Sequence, residues 1–344
     1  MIGAGVGLGR PFYSLGASEW LGKVGMDVCE LDILALGETG QRTARALGIG
    51  YMALSRWPGL YNLVRSSLDR SKIQLTDRKR LAERLGNKNI LSVSPVASGE
   101  LIEAGVEHRF VAGDFYVHES VRNPKIRSIY VPVEGLVEGS VVIGGAVLPT
   151  IFAQRELSLS RKIGQLKSGR IPEVGFVVNG AGADMVSWLR SAADAIGKGK
   201  IKASFFVGTS SKLYWAVQDE ARRMGIDEKV KVLWTADLRQ AVQLKSGVTA
   251  ESDVVVSPTA NENILARPTI FRSVRNSAER ANDKFATERG WGMRAGSSDE
   301  MAEVLGRLSD NRSEGLGQML RKLENNLVMD AGEKMARSVL DGKV

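Results

Sequence analysis

Short runs of apolar and β-branched residues alternate along this chain with stretches whose apolar positions recur at helical spacing. After a glycine-rich segment from Gly3 to Gly9, Leu15, Trp20, Leu21 and Val24 mark one face of a helix, and Met26-Asp27-Val28-Cys29-Glu30-Leu31 alternates as a strand does. The succession returns with strand-like Asn89 to Val93, a short helix from Ala97 to Ala104, and the strand His108-Arg109-Phe110-Val111. Ser128 to Val131 and Val141 to Ile143 complete the set. Strands separated by helices predict a parallel sheet covered on both faces, because parallel neighbours need a crossover long enough to hold a helix. Only Met1 and Ile2 precede the first glycine loop, so the strand that ordinarily introduces such a loop is either vestigial here or lies upstream in relatives.

Gly144-Gly145-Ala146-Val147-Leu148-Pro149 mixes flexible and rigid residues as a hinge does, predicting an N-terminal domain at 1–148 and a second at 149–314. Beyond a polar helix ending near Gly169 the pattern restarts more regularly. Gly175 to Val178, Ala203 to Val207, Val230 to Trp234 and Val254 to Val256 read as buried strands. Helical patterns follow over Met185 to Ile196, Leu213 to Met224, Leu238 to Leu244, Glu279 to Arg289 and Ser298 to Leu308. The predicted fold class is α/β, with two doubly wound Rossmann-like domains facing a cleft. A C-terminal helical segment, 315–344, crosses back over the joint.

Composition narrows the class. At 344 residues, 43% apolar and 25% charged, the chain exceeds one comfortable core and is too rich in hydrophobes to stay disordered. Its single cysteine, Cys29, and two histidines, His108 and His118, exclude an internal disulfide and a Cys/His zinc cluster. No apolar run approaches the roughly 20 residues that span a bilayer, and the N-terminus has no secretory pattern, so a cytoplasmic protein is expected.

A net charge of +8 calls for an acidic partner. The excess is local: residues 51–80 hold seven basic side chains (Arg56, Arg65, Arg70, Lys72, Arg78, Lys79, Arg80) against Asp69 and Asp77. Tyr51, Met52, Trp57, Leu60, Tyr61, Leu63 and Val64 interleave with them, which suits either an anionic membrane face or a helix packed on its own domain. No nucleic-acid module is recognisable, and nucleic acid is not an expected partner.

Three glycine or hydroxyl loops are candidate anion sites. Gly3-Ala4-Gly5-Val6-Gly7-Leu8-Gly9 is a tight turn or a cradle for a phosphate at the following helix start. Asn179-Gly180-Ala181-Gly182-Ala183-Asp184 sits between a strand and a helix, where main-chain N–H groups can hold a pyrophosphate, or Asp184 can merely start the helix. Gly208-Thr209-Ser210-Ser211 repeats that setting.

Together these residues resemble a family. Gly5-Val6-Gly7-Leu8-Gly9-Arg10 is similar to the Gly-x-Gly-Leu-Gly-His opening of GT-B glycosyltransferases of the monogalactosyldiacylglycerol synthase and peptidoglycan N-acetylglucosaminyltransferase kind. Ala112-Gly113-Asp114-Phe115-Tyr116-Val117-His118, then Tyr130-Val131-Pro132 and Val142 to Val147, resembles the diacylglycerol-glycosylating branch. Asn179 to Ala183, Phe206 to Ser210, Val232 to Leu238 and Glu279 to Phe285 with Glu288 to Gly292 resemble the donor-side loops, in the family's order, from about residue 3 to 310. Two positions depart: Arg10 stands where relatives carry histidine, and the stretch from Ser257 to Glu262 is shorter than the family's glycine-rich donor loop.

The resemblance implies a nucleotide-sugar-dependent, inverting hexosyltransferase acting on a lipid or lipid-linked acceptor. No cofactor or metal is implied beyond the nucleotide-diphosphate sugar itself. It implies donor contacts at Gly180, Gly182, Ala183, Gly208, Ser210, Trp234, Thr235, Asn261, Glu262 and Asn282, with Glu262 and Asn261 rivals for the ribose. Gly7, Gly9 and Arg10 would form an acceptor or phosphate loop. Asp114 is the candidate base, or a turn residue; His118 orients the acceptor, serves as base itself, or does neither. A peripheral position on the inner membrane face is compatible with all of this. Two other readings stand beside it: a nucleotide-sugar epimerase, and a non-catalytic GT-B protein that binds a nucleotide sugar.

Overall fold

The computed structural model describes residues 2–3, 9–27, 31–32, 77–85, 88–113, 115, 117, 121–143, 159–178, 184–258, 267–272, 277–310, 315–324 and 331–341. The chain divides into two compact units. The first is Met1–Thr150 with Arg275–Ala278 and Val328–Val344, and the second is Ile151–Val274 with Glu279–Leu327.

The first unit carries a six-stranded sheet in the order β2-β1-β3-β4-β5-β6. Its strands are β1 (Ile2–Gly3), β2 (Leu31–Asp32), β3 (Leu91–Ser92), β4 (His108–Val111), β5 (Ile126–Val131) and β6 (Val141–Val142), paired in parallel throughout. The first strand is therefore present but only two residues long. It is interior to the sheet, with Ile2 opposite both Leu31 and Ser92. The strand expected at Met26 to Leu31 begins only at Leu31 among the described residues. Helices α1 (Gly9–Lys23), α2 (Arg78–Leu85) and α3 (Pro95–Glu103) belong to this unit.

Phe110, Ala112, Val117, Val121, Ile126 and Val131 form a core with Ile102 of α3 packed against it. Buried beside α3, His108 has Nδ1 3.1 Å from the Val106 carbonyl and Nε2 2.9 Å from Ser98 Oγ. A carbonyl only accepts, so Nδ1 carries the proton and Nε2 accepts from the serine. Burial pushes this imidazole below its ordinary value of 6.5, outweighing the carbonyl bond that raises it.

The second unit carries a second six-stranded parallel sheet, ordered β12-β11-β10-β7-β8-β9. Its strands are β7 (Glu173–Val177), β8 (Lys202–Phe206), β9 (Val230–Leu233), β10 (Val254–Ser257), β11 (Thr269–Phe271) and β12 (Gly292–Arg294). Counted from β7 this is the doubly wound order 3-2-1-4-5-6, whose switch point falls between β7 and β10. Its helices are α4 (Leu159–Lys167), α5 (Met185–Gly197), α6 (Ser211–Arg223), α7 (Leu238–Glu251), α8 (Ser277–Glu288), α9 (Ser298–Asp310) and α10 (Gly315–Glu324). Phe176 and Phe205 stack at 4.2 Å between β7 and β8. Gly175 brings α7 close, since a Cβ there would lie 2.4 Å from Ser252 Oγ.

The C-terminal segment is two helices. Helix α10 packs on α4 in the second unit, and α11 (Ala331–Leu340) packs on α1 in the first. Gly332 makes the latter contact possible: a Cβ would sit 2.1 Å from the Trp20 ring. Ser338 of α11 shares a 3.3 Å hydrogen bond with Tyr130 of β5. Among the described residues no helix is long and apolar enough to cross a membrane.

At the amino edge of the second sheet, charge is buried and paired. Asp253 accepts from Arg170 Nη2 at 2.5 Å, from Lys162 Nζ at 3.4 Å and from the Glu173 amide at 2.8 Å. Arg267, fully buried, donates to the carbonyls of Ser252 (2.7 Å) and Ala250 (2.6 Å). Burial lowers Arg267 to about 10, with Asp253 opposing that shift, and burial likewise lowers Lys162. These bonds join α4, the approach to β7, the turn from α7 into β10, and the approach to β11.

Candidate functional site

In an open parallel α/β sheet ligands bind outside the carboxyl ends of the strands, so the exits of β7 to β12 are the place to look. The exits of β8 and β9 are tied together. The Val207 amide donates to the Leu233 carbonyl at 3.0 Å, and the Thr235 amide donates to the Gly208 carbonyl at 3.3 Å. Between them Gly208 turns with φ of +72°, a left-handed conformation that costs a side-chain-bearing residue about 1–2 kcal/mol.

Ser210 then caps α6, its Oγ accepting from the Leu213 amide at 3.2 Å. Across the turn Thr235 Oγ1 donates to Gln240 Oε1 (2.6 Å) and accepts from the Asp237 amide (3.2 Å). Asp237 in turn caps α7 by accepting from the Gln240 amide at 2.7 Å. Trp234 stands beside this turn, 36% exposed, its ring 6.0 Å from that of Tyr214 on α6. The structure thus brings four residues singled out in the sequence, Gly208, Ser210, Trp234 and Thr235, to one corner. It offers two helix N-termini, a serine hydroxyl whose proton is free to donate, and an aromatic face.

Glu220 holds α5 to α6. It accepts from Arg223 (Nε, 3.0 Å) and Arg190 (Nε, 2.7 Å), and these hydrogen bonds hold its carboxyl down at about 2. At the start of α5 Asp184 occupies the N-cap position, its carbonyl accepting from the Trp188 amide at 2.9 Å, while its side chain makes no capping bond.

Sequence reasoning missed a further link along the same edge. Arg272, immediately past β11, donates its amide to the Ser257 carbonyl at the exit of β10 (3.0 Å), Nη1 to the Gly296 carbonyl (2.6 Å) and Nη2 to Ser298 Oγ (3.3 Å). Ser298 opens α9 and shares a 3.3 Å hydrogen bond with Ser187 in the first turn of α5. A cation directly after the β-branched and aromatic triplet Thr269-Ile270-Phe271 was the signal that could have revealed it.

The other sequence candidates fall elsewhere. Asn282 lies on α8, nearly fully buried, beside Asp283, which pairs with Arg294 at 3.5 Å; it is not part of the β8 and β9 corner. Gly9 and Arg10 are the first two residues of α1. Gly7, Asp114, His118, Gly180, Gly182, Ala183, Asn261 and Glu262 lie outside the described residues, as do 51–76 of the basic stretch. Of that stretch, Arg78 ion-pairs with Glu100 (3.7 Å) and Glu103 (3.4 Å) of α3.

No protein-family model and no curated protein matches this sequence. Solved structures do match in shape. The chain is similar to Staphylococcus aureus MnaA with UDP (TM-score 0.57, 11% identity, covering 98% of this chain and 95% of that one). It is similar to the UDP-GlcNAc 2-epimerase of Neisseria meningitidis bound to UDP-GlcNAc (0.55, 11%, 99% of each). It is also similar to the calicheamicin glycosyltransferase CalG4 (0.55, 12%, 99% and 98%). At such identities the likeness is one of fold, and with the two parallel sheets it gives a GT-B fold of two Rossmann-like units.

Proposed function

We propose that the chain is a nucleotide-sugar-dependent glycosyltransferase that moves a hexose from a nucleoside diphosphate to a lipid or lipid-linked acceptor. The observation that carries this reading is the meeting of Gly208, Ser210, Trp234 and Thr235 at the exits of β8 and β9, on the carboxyl edge of the second sheet. In this reading Trp234 faces the base. N–H groups at the starts of α5 and α6, with Gly180, Gly182, Ala183, Gly208 and Ser210, meet the diphosphate charge. Glu262 or Asn261 holds the ribose. Arg272 anchors the start of α9 and adds a cation one strand from the switch point. The neighbours that hold UDP or UDP-GlcNAc support the same choice of ligand, and a neighbour named as a glycosyltransferase supports the choice of reaction.

The first unit supplies the acceptor's side. Gly7, Gly9 and Arg10 form its loop, and His118 orients the hydroxyl. Asp114 takes the hydroxyl proton as the acceptor oxygen bonds to the anomeric carbon from the face opposite the diphosphate. The bond from that carbon to the diphosphate oxygen breaks, its electron pair leaves on the diphosphate, and the configuration inverts. Aimed N–H groups stabilise the charge that develops there.

One neighbour is a 2-epimerase by name, which favours epimerisation of the nucleotide sugar as a second reading. A donor radiolabelled in the sugar, incubated with and without membrane lipids, separates the outcomes. Label in lipid supports transfer, an interconverted nucleotide sugar supports epimerisation, and saturable binding without product means a non-catalytic binder. Asp114→Asn is expected to abolish transfer while leaving donor affinity unchanged; retained turnover removes Asp114 from the base role.

A further inference from the structure

Among the described residues, Trp215, Trp234 and Leu238 stand open to solvent at 53%, 36% and 47% and fall within one stretch of the second unit. Trp215 is not a core residue out of place. Helix α6 faces the interior with Val217, Glu220 and Ala221, and Trp215 lies on its outer side with exposed Lys212, Ala216 and Asp219. Tyr214 joins the two tryptophans, 5.0 Å from Trp215 and 6.0 Å from Trp234 between ring centroids. Large apolar side chains grouped on the surface of a folded unit ordinarily mark a contact with something else.

Charge and ring geometry say what that is. Lys212 precedes Trp215 by one helical turn, Lys231 lies on the edge strand β9 three residues before Trp234, and Arg239 follows Leu238; all three are exposed, and none forms an ion pair among the described residues. Within 210–216 and 230–240 Asp237 is the single acidic residue, and its carboxylate is engaged in capping α7. The uncompensated charge is positive, so the partner is anionic. The Tyr214 ring is inclined by 75° to Trp215 and by 42° to Trp234, so the three rings offer no common plane on which a saccharide chain or successive bases could stack. Tilted, exposed aromatic rings, with an exposed leucine and exposed lysine and arginine within a few residues along the chain, match the headgroup zone of a bilayer.

We infer that Tyr214, Trp215 and Leu238, with Lys212, Lys231 and Arg239, form a surface on the second unit that docks on an anionic phospholipid bilayer. It is a different surface from the basic stretch at 51–80 and does not depend on the sugar-transfer reading. The contact is interfacial: the rings enter the headgroup layer, and each cation near the surface adds attraction that salt screens.

Sedimentation of the full chain with vesicles of equal phosphatidylglycerol and phosphatidylcholine tests this, with pure phosphatidylcholine vesicles as the second arm. The wild type is expected to sediment with the anionic vesicles and at least about tenfold less with the neutral ones. Trp215→Ala combined with Lys212→Glu and Arg239→Glu is expected to lose that partition by at least about tenfold while keeping the wild-type far-UV circular dichroism. A folded variant that sediments like the wild type overturns the inference, as does a wild type that stays in solution. If the wild type fails to sediment yet a nucleotide sugar raises its melting point, the surface inference alone falls. If it sediments but no nucleotide sugar affects it, the sugar-transfer reading alone falls.

Discussion

The two edges of the second sheet are built oppositely. At the amino edge, Asp253, Lys162, Arg170 and Arg267 direct their charges at one another and at backbone carbonyls. At the carboxyl edge of β8 and β9, Ser210, Trp234 and Thr235 lie at or just before helix starts with an exposed aromatic face, and the charged groups beside them, Lys212, Asp237 and Arg239, are exposed rather than buried. Burying ions costs several kcal/mol each unless they are paired, so the amino edge invests its charges in holding strands together and has nothing left for a ligand. The carboxyl edge spends only capping bonds on stability and keeps N–H groups, a hydroxyl proton and a ring available. Stability and binding are thus divided between opposite edges of the same sheet.

The sharpest break is at Asp253. Asp253→Ala leaves Arg170, Lys162 and Arg267 without their shared anion, and urea unfolding is expected to show a loss of about 3–5 kcal/mol. Nucleotide-sugar affinity of the remaining folded protein should not change. Trp234→Ala is the mirror image: affinity for a nucleotide sugar, measured by titration calorimetry, is expected to fall by about 1–3 kcal/mol with the unfolding midpoint nearly unmoved.

A third prediction carries the contrast to the amino edge of the first sheet, where His108 opens β4. Its folded value lies below 6.5, so above pH 6.5 the group is neutral in both states and its bonds to Val106 and Ser98 are intact. As pH falls below 6.5 the unfolded chain takes up the proton first, and stability drops by at most about 1.4 kcal/mol for each pH unit until the folded value is passed. His108→Gln should flatten this part of a melting-point profile against pH. The smallest effect is at Ser210: Ser210→Ala removes the α6 cap for about 1 kcal/mol of stability and should also lower donor affinity, a double cost that no amino-edge residue shares.

Much of the second unit was legible in its sequence. β7 to β10 are short runs rich in valine and phenylalanine; Gly208 and Ser210 stood out as the loop after one of them, and Trp234 and Thr235 through the family resemblance. β11 and β12 were not foreseen as strands, being three residues each. At Gly292, which opens β12, a Cβ would lie 2.4 Å from the Thr269 carbonyl oxygen, so close packing demands glycine there. The Asp253 cluster was invisible because its partners come from α4, from the approach to β7 and from beyond β10, distant in sequence and joined only by the sheet. The split of the C-terminal segment into α10 and α11 on different units was equally hidden, since both helices show the same amphipathic spacing.

In the function proposed, a nucleotide-diphosphate sugar binds at the carboxyl edge of the second sheet. Hydrogen exchange read by mass spectrometry, with and without uridine, guanosine and thymidine diphosphate sugars, tests it directly. One of these donors is expected to slow exchange in 207–213 and 233–240 and to leave 170–173 and 250–254 unchanged. Unaltered exchange at the β8 and β9 exits with every donor, or protection confined to the Asp253 edge, would contradict it.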